Sequence, residues 1–254
     1  MTFQTTAVSS PLVPDDGPGR HRIGLVVLSN DYATERDFIN MKPNDDVALF
    51  TSRVPNTTEC TPETLALMGP KITTAASLIV PEGRLDVMAY SCTSGTVVMG
   101  YDAICGYIHA TRPGVPVVTP ITASLEALNR FGAQKLAVLT PYVDDVNQLI
   151  AENLEANGKQ VCGFTSFHIE DNEVMAAVPA EAIFEAALEA DRPDAEALFI
   201  SCTAIRAVDV VDRIEKALGK PIVTANQAMV WQCLRLSGYK GEITGYGDLL
   251  KLGN

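Results

Sequence analysis

After its first twenty residues, the chain alternates short apolar runs with longer stretches in which apolar positions recur at helical spacing. The apolar runs are rich in Val, Ile and Leu, which is typical of strands covered on both faces of a parallel sheet. Strands that alternate with helices indicate βαβ units. The predicted strands are 23–29, 85–91, 115–119, 136–140, 161–167, 198–201 and 221–224, and the predicted helices are 62–76, 95–110, 123–131, 144–157, 180–189, 207–218 and 226–236.

The two halves of the chain carry the same motifs in the same order. Residues 88–94 read Met-Ala-Tyr-Ser-Cys-Thr-Ser and residues 198–204 read Leu-Phe-Ile-Ser-Cys-Thr-Ala, so each is a strand that ends in Ser-Cys-Thr. Downstream, Pro-Val-Val-Thr at 116–119 matches Pro-Ile-Val-Thr at 221–224, and each leads into a helix closed by glycine. This order indicates a duplicated α/β unit.

The expected fold is therefore α/β with two pseudo-symmetric lobes, each a parallel sheet flanked by helices. Residues 1–21, rich in Ser, Pro, Asp and Gly, are predicted to be a flexible N-terminal arm. Lobe 1 is expected to span 22–120 and lobe 2 to span 121–225. A C-terminal helix, 226–254, is expected to pack back on lobe 1.

Composition excludes several classes of protein. Of the 254 residues 47% are hydrophobic, enough for a buried core, and the net charge of -12 argues against nucleic-acid and anionic-membrane partners. No apolar run approaches the ~18 residues of a membrane-spanning helix. The N-terminus lacks the pattern of a signal peptide, so a cytoplasmic location is expected. The six cysteines include no CxxC pair, and thiols are expected in a reducing compartment.

Cys92 and Cys202 follow matching strands, each just before a predicted helix. Ligands of open parallel sheets bind beyond the carboxyl ends of the strands, where helix N-termini offer N–H groups and lower the pKa of a thiol. Two thiols facing one cleft could remove and return a proton on opposite faces of one carbon. For an isolated cysteine, burial as a small hydrophobe is the usual role. That role is assigned to the cysteines without a counterpart, Cys60, Cys105, Cys162 and Cys233.

Further polar residues lie at or just past the strand ends. Asn30, Tyr142 and Asn172 could form a polar cradle for an enolate-like intermediate, or they could be ordinary loop residues. Hydroxyls beside the cysteines could cap helices, hold a carboxylate, or do both; these are Thr93, Ser94 and Thr203. The chain has three histidines and no GxGxxG, P-loop or Gly-x-Ser-x-Gly motif, so neither a metal site nor a cofactor is expected.

Four segments carry a family resemblance. Residues 22–30 read Arg-Ile-Gly-Leu-Val-Val-Leu-Ser-Asn, residues 137–147 read Ala-Val-Leu-Thr-Pro-Tyr-Val-Asp-Asp-Val-Asn, residues 170–172 read Glu-Asp-Asn and residues 198–202 read Leu-Phe-Ile-Ser-Cys. Together they resemble the aspartate/glutamate racemase superfamily, in the branch of maleate cis-trans isomerase, arylmalonate decarboxylase and the ectoine-utilisation protein EutA. The resemblance covers nearly the whole chain after the arm.

The resemblance implies a cofactor-independent enzyme with a small carboxylate substrate, and a homo-oligomer, either dimer or tetramer. It assigns substrate-carboxylate contacts to Asn30 and Asn172 and a substrate contact to Tyr142. The decarboxylases keep the second cysteine but have glycine at the first. Since Cys92 is present here, an isomerase or racemase is favoured. Thr-Ser-Gly after Cys92 differs from maleate isomerase, whereas this run and residues 30–38 look more like EutA, which implies a role in breaking down ectoine or hydroxyectoine.

Four functions stay open at this point. The leading hypothesis is a racemase or isomerase that uses Cys92 and Cys202 as an acid/base pair. A maleate cis-trans isomerase would instead use Cys92 for covalent addition to the double bond. An arylmalonate-type decarboxylase would need only Cys202 as proton donor. A non-catalytic carboxylate-binding protein would need neither thiol to react.

Overall fold

The computed structural model describes residues 3–15, 17–56, 65 and 67–253. Residues 3–15 form neither helix nor strand and are exposed, and the first strand begins at His21. The strands are β1 (His21–Leu28), β2 (Val47–Val54), β3 (Val87–Tyr90), β4 (Val117–Val118), β5 (Lys135–Thr140), β6 (Gln160–Ser166), β7 (Ala197–Ile200) and β8 (Ile222–Thr224).

The helices cover both faces of the strands. They are α1 (Thr34–Met41), α2 (Gly69–Ser77), α3 (Thr93–Met99), α4 (Tyr101–His109), α5 (Pro120–Arg130), α6 (Asp144–Ala156), α7 (Asn172–Ala177), α8 (Ala180–Ala190), α9 (Val211–Leu218) and α10 (Ala225–Leu236), with 3-10 turns at Ala207–Asp209 and Leu249–Lys251. In the described part of the chain, no helix has the length and apolar character needed to cross a membrane.

The strands form two four-stranded sheets with the same topology. Their orders are β2-β1-β3-β4 and β6-β5-β7-β8, and every pairing is parallel. The predicted fold class of two parallel α/β lobes is therefore confirmed. In the shared order β3 matches β7, so Cys92 and Cys202 follow equivalent strands, and β1 matches β5, so Asn30 and Tyr142 do the same.

Helices α5 and α10 occupy equivalent positions and pack against each other. Each begins with a capping box, formed by Thr119 with Thr122 and by Thr224 with Gln227. Each ends two residues before a glycine with positive φ, at Gly132 and Gly238, as the repeat predicted. Helix α10 also contacts α1, β3 and β8, and so touches elements of both sheets.

Several predicted boundaries are wrong for local reasons. The single helix expected over 95–110 is two helices, since Gly100 adopts a φ of 84° and breaks the hydrogen-bond ladder. The helix predicted over 226–236 is confirmed, but the longer C-terminal helix expected over 226–254 is wrong, since the helix ends at Leu236. The helix expected over 207–218 begins as a 3-10 turn. Strand β2 and helices α1 and α7 were not predicted; Cys60 and most of the N-terminal part of the helix expected over 62–76 lie outside the described residues.

Candidate active site

A small cavity lies where the carboxyl ends of both sheets meet. It encloses about 20 Å³, room for roughly one water molecule. Every lining residue belongs to a strand end or to the loop or first helical turn after it, except Leu65. The lining comprises Leu28, Asn30, Asp31, Asn56, Leu65, Cys92, Ser94, Tyr142, Asn172, Cys202, Thr203 and Ala204. Seven of the eight site residues predicted from the sequence are thus brought together, and Thr93 is not.

Cys92 lies at the junction of β3 and α3 and is only 4% exposed. Its extended backbone makes it the N-cap residue of α3, and its Sγ accepts a hydrogen bond from the N–H of Gly95 at 3.2 Å. The Ser94 hydroxyl lies 3.7 Å from the same sulfur. The cap was expected from the neighbouring hydroxyls, but the cysteine itself supplies it. An N–H donor directed at sulfur favours the thiolate.

Cys202 occupies the equivalent place after β7 and is also 4% exposed. Its Sγ accepts a hydrogen bond from the N–H of Ala204 at 3.2 Å. The helix predicted to begin at Ala207 starts as a 3-10 turn, and residues 203–205 form bends between it and Cys202. The sulfur therefore receives a backbone donor from a tight turn instead of from a helix end.

Thr93 is the one predicted site residue that does not line the cavity. It is the first residue of α3, is 1% exposed, and its hydroxyl has no hydrogen-bond partner among the described residues. Consecutive residues of a helix point about 100° apart, so Thr93 and Ser94 cannot both face the cavity. Ser94 occupies the cavity side.

Asn30 and Asn56 form a pair of amides at the ends of β1 and β2. The Nδ2 of Asn56 donates to the Oδ1 of Asn30 at 3.1 Å, and the Asn56 N–H donates to Ser29 Oγ at 3.0 Å. Sequence reasoning missed Asn56 because it missed β2. That strand lies at the edge of its sheet and is half-buried along most of its length, and the exposed Arg53 interrupts its apolar pattern. The β1–β5 repeat was the available signal, since it implies a second strand in both lobes.

Tyr142 follows β5 and is 3% exposed. Its carbonyl oxygen accepts hydrogen bonds from Asn147 Nδ2 at 2.8 Å and from Ser166 Oγ. Its N–H donates to Thr140 Oγ1 at 3.3 Å, and that hydroxyl in turn donates to Asn147 Oδ1. These buried bonds hold the backbone of Tyr142 from both sides and so orient the residue toward the cavity.

Replacing Asn147 by alanine is expected to lower the free energy of unfolding by about 2 kcal/mol, because it leaves the buried Thr140 hydroxyl and the Tyr142 carbonyl with fewer partners. Urea unfolding measures the change. The matched control is Gln148→Ala, an exposed neighbour on the same helix, for which a change within about 0.5 kcal/mol is expected. Equal losses for the two variants would contradict this role of Asn147.

Asn172 is the first residue of the short helix α7 and is buried. The side chain of Asp171 caps this helix, accepting hydrogen bonds from the N–H groups of Glu173 at 2.7 Å and Val174 at 3.1 Å. Asp171 thereby fixes the turn that carries the Asn172 amide to the cavity.

Asp31 is the one carboxylic acid of the described lining. Its Oδ1 accepts hydrogen bonds from the N–H groups of Ala33 and Thr34 at 2.9 and 2.8 Å, and Oδ2 accepts one from Thr34 Oγ1 at 2.6 Å. Burial raises the pKa of this carboxyl above its ordinary value, and the hydrogen bonds from Thr34 and Ala33 oppose the rise. Sequence reasoning missed Asp31, which entered it only as part of the stretch 30–38 that resembles EutA.

No Lys, Arg or His lines the described cavity. A bound carboxylate would therefore be held by amide, hydroxyl and backbone N–H donors. Among the described residues, no group of three or more His, Cys, Asp and Glu is arranged to hold a metal ion. Of the other cysteines, Cys105 and Cys162 are half-buried, and complete burial raises the pKa of the Cys233 thiol well above its ordinary value.

Comparison with known proteins points to one family. The arylmalonate decarboxylase family matches residues 99–250. The arylmalonate decarboxylase of Bordetella bronchiseptica is 32% identical over 139 residues, which cover 54% of this chain and 58% of that protein. The maleate isomerase of Nocardia farcinica (strain IFM 10152) is 25% identical over 244 residues, which cover 92% of this chain and 96% of the relative.

The fold is also that of a solved isomerase. A mutant of the Nocardia farcinica maleate cis-trans isomerase with a covalently bound succinylcysteine intermediate superimposes with a TM-score of 0.82 at 24% identity, over 91% of this chain and 98% of that one. The resemblance to the branch of maleate isomerase and arylmalonate decarboxylase is confirmed. Because the family match covers more than half of its length, the chain belongs to the arylmalonate decarboxylase family of enzymes.

Proposed function

We propose that this protein is a cofactor-independent isomerase or racemase of a small carboxylate, with Cys92 and Cys202 as its acid/base pair. The observation that carries the proposal is that both cysteines line one cavity. Each follows the equivalent strand of a different lobe. Pseudo-symmetry of this kind supports an approach to one substrate carbon from two opposite faces.

The surroundings of the two sulfurs support proton transfer. Each Sγ accepts a backbone N–H at 3.2 Å, from Gly95 and from Ala204 respectively. Such donors favour negative charge on sulfur, which a general base or nucleophile requires. While one cysteine acts as the base, the opposite cysteine must be a protonated thiol so that it can return a proton.

The substrate is expected to be small and acidic. Amides of Asn30, Asn56 and Asn172 and the hydroxyls of Ser94 and Thr203 supply the donors that a carboxylate accepts. The close packing of these residues around the cavity argues against a bulky acid. Tyr142 completes the cradle in which charge on the carboxylate would grow as an enolate forms.

In a racemisation, one cysteine thiolate takes the proton alpha to the carboxylate, and the C–H electron pair moves into the enolate. The opposite thiol then gives its proton to the other face of that carbon. In a cis-trans isomerisation, Cys92 would add to one alkene carbon while Cys202 protonates the other. Rotation about the resulting single bond, return of that proton to Cys202 and loss of Cys92 would give the trans alkene.

Decarboxylation is the second candidate, and the family match supports it. The matched region, 99–250, contains Cys202 but not Cys92. In that reaction the bond between carbon and a carboxylate breaks, carbon dioxide leaves, and the Cys202 thiol protonates the remaining carbanion. Such an enzyme would work without Cys92.

A finer assignment concerns ectoine. The likeness of residues 30–38 and of the Ser-Cys-Thr-Ser-Gly run to EutA supports a substrate from ectoine or hydroxyectoine breakdown. A chiral amino or hydroxy acid of that pathway, incubated with the enzyme and followed by chiral chromatography, tests this. Loss of enantiomeric purity is the expected result. Unchanged purity together with turnover of maleate would assign the enzyme to maleate isomerisation instead.

The proposal is tested with enzyme that has been dialysed against a chelator. Proton NMR follows maleate, phenylmalonate and chiral 2-substituted aliphatic acids, each without added cofactor. Isomerisation or racemisation without release of carbon dioxide is expected. Decarboxylation of phenylmalonate as the only activity would select the second candidate, and binding of these acids without any turnover would contradict both.

A further inference from the structure

Behind the cavity, a buried amide touches the backbone next to Cys202. Asn226 lies in the first turn of α10 and is 2% exposed. Its Nδ2 donates to the carbonyl oxygen of Thr203 at 3.0 Å and to Oδ2 of Asp37 at 2.8 Å. Since Thr203 lines the cavity directly after Cys202, this amide holds the turn whose Ala204 N–H contacts the Cys202 sulfur.

Asp37 fixes the orientation of that amide. It lies in α1 of the other lobe, is fully buried, and accepts a hydrogen bond from Arg36 at 3.1 Å through Oδ1. Arg36 also forms a bidentate pair with Asp209, at 2.9 and 3.2 Å. With both hydrogens of its Nδ2 engaged, Asn226 is held between a carboxylate of lobe 1 and a carbonyl of lobe 2.

The Asn226 amide also has a weaker, indirect link to the residue before Cys92, through the hydroxyl of Thr34. Thr34 Oγ1 lies 3.5 Å from Asn226 Oδ1 and 2.7 Å from Ser91 Oγ, and Ser91 immediately precedes Cys92. The Ser91 backbone is held independently, since its N–H donates to the Val26 carbonyl at 2.8 Å. Loss of Asn226 should therefore disturb the Cys202 side of the site more than the Cys92 side.

We propose that Asp37 and Asn226 are positioning residues, which set the geometry of Cys202 through the carbonyl of Thr203. Neither residue lines the cavity, so both act through the turn and not by touching substrate. The inference rests on the proposed function in that it gives Cys202 a chemical role, but the position of its sulfur can be probed without any substrate.

Asp37 adds a dependence on pH. Burial raises its pKa to about 7, while the Asn226 hydrogen bond and Arg36 oppose the rise and Asp209 and Asp31 add to it. The elements packed against α1 carry other titratable or charged groups. Arg53 of β2 pairs with Glu35, His21 and Arg22 lie at the start of β1, and Arg235 lies in the last turn of α10. Ionisation of Asp37 strengthens its bond from Asn226.

The ionisation of Asp37 also makes the stability of the protein depend on pH. The folded pKa of Asp37 lies above the ordinary value of 3.8, so its favourable contribution is complete below about pH 4 and is lost as pH rises through 7. The melting temperature of the wild type is therefore expected to fall relative to that of Asp37→Asn between pH 5 and pH 8. This comparison also reports whether the variant folds.

The test is the rate at which iodoacetamide alkylates each cysteine, measured by peptide mass spectrometry on folded Asn226→Ala and Asp37→Asn. Asn226→Ala is expected to change the rate at Cys202 about tenfold and the rate at Cys92 less than about twofold. In the wild type, the Cys202 rate should show a step near pH 7 that Asp37→Asn removes. Glu181→Gln, which removes an exposed carboxylate paired with Arg213, is the control and should match the wild type.

Equal changes at both cysteines, or no change at either in the folded variants, would overturn the positioning role. With a substrate in hand, kcat is expected to fall about tenfold in Asn226→Ala while KM stays within about threefold, since most of the carboxylate donors, on Asn30, Asn56, Asn172 and Ser94, are unchanged. Selective change at Cys202 in a protein that turns over no acid would leave the positioning role standing and reject the proposed function. The two failures are therefore distinguishable.

Discussion

Replacing either Cys92 or Cys202 by alanine is expected to lower kcat for interconversion of the substrate isomers by about 1,000-fold. General acid or base catalysis by one positioned side chain contributes about 100- to 10,000-fold, and each direction of the reaction needs both groups. KM is expected to change little, because the amides and hydroxyls that hold the carboxylate remain. Initial rates measured by chiral chromatography or NMR provide both constants.

Cysteines away from the cavity serve as matched controls. Cys105→Ser and Cys162→Ser alter half-buried thiols that do not line the site, and wild-type rates are expected for both. Full activity of Cys92→Ala beside an inactive Cys202→Ala would point to the decarboxylase mechanism. Full activity of both variants would show that neither cysteine takes part in the reaction.

Replacing Gly95 by alanine is expected to lower kcat by about 100-fold without replacing any reacting group. A Cβ at this position would lie 2.9 Å from Cys92 Sγ, 2.9 Å from Tyr90 Oη and 3.1 Å from Met68 Cε. Tyr90 is fully buried and has no room to yield, so the sulfur must move. The movement would weaken its 3.2 Å contact with the Gly95 N–H.

Gly106 provides the control for this substitution. It lies exposed in α4, and no heavy atom comes within 4 Å of a Cβ built there. Gly106→Ala should therefore leave kcat unchanged and stabilise the protein by about 0.5 to 1 kcal/mol through helix propensity. A Gly95→Ala enzyme with wild-type kcat would show that the position of the Cys92 sulfur is not critical.

Much of the fold could be predicted from the repeat alone. Matching Ser-Cys-Thr strand ends and matching Pro-x-Val-Thr helix starts fix equivalent strands in each lobe, and parallel topology then brings their carboxyl ends to one cleft. Residues at those ends, such as Asn30, Tyr142 and both cysteines, were found because their place along the strand determines their place in space.

What escaped prediction depends on contacts between distant segments. Strand β2 is a half-buried edge whose Arg53 is held by Glu35 and by carbonyl oxygens of the β1–α1 loop, so its apolar pattern is weak and Asn56 went unseen. Helix α1 packs against α10 partly through a buried polar contact, between Asp37 and Asn226, so its sequence lacks a clear apolar pattern. The amide of Asn226, which occupies the position of Ile121 in the repeat, has no counterpart in lobe 1.

The central claim is that two cysteines act on opposite faces of one substrate carbon. It is tested most directly by exchange of the alpha hydrogen in D₂O, with each stereoisomer of a racemised acid given separately to Cys92→Ala and to Cys202→Ala. Each variant keeps one thiol, so each is expected to stop interconversion but still exchange one stereoisomer, and the two variants should exchange opposite ones. Exchange of the same stereoisomer by both variants, or interconversion by either at the wild-type rate, would contradict the account.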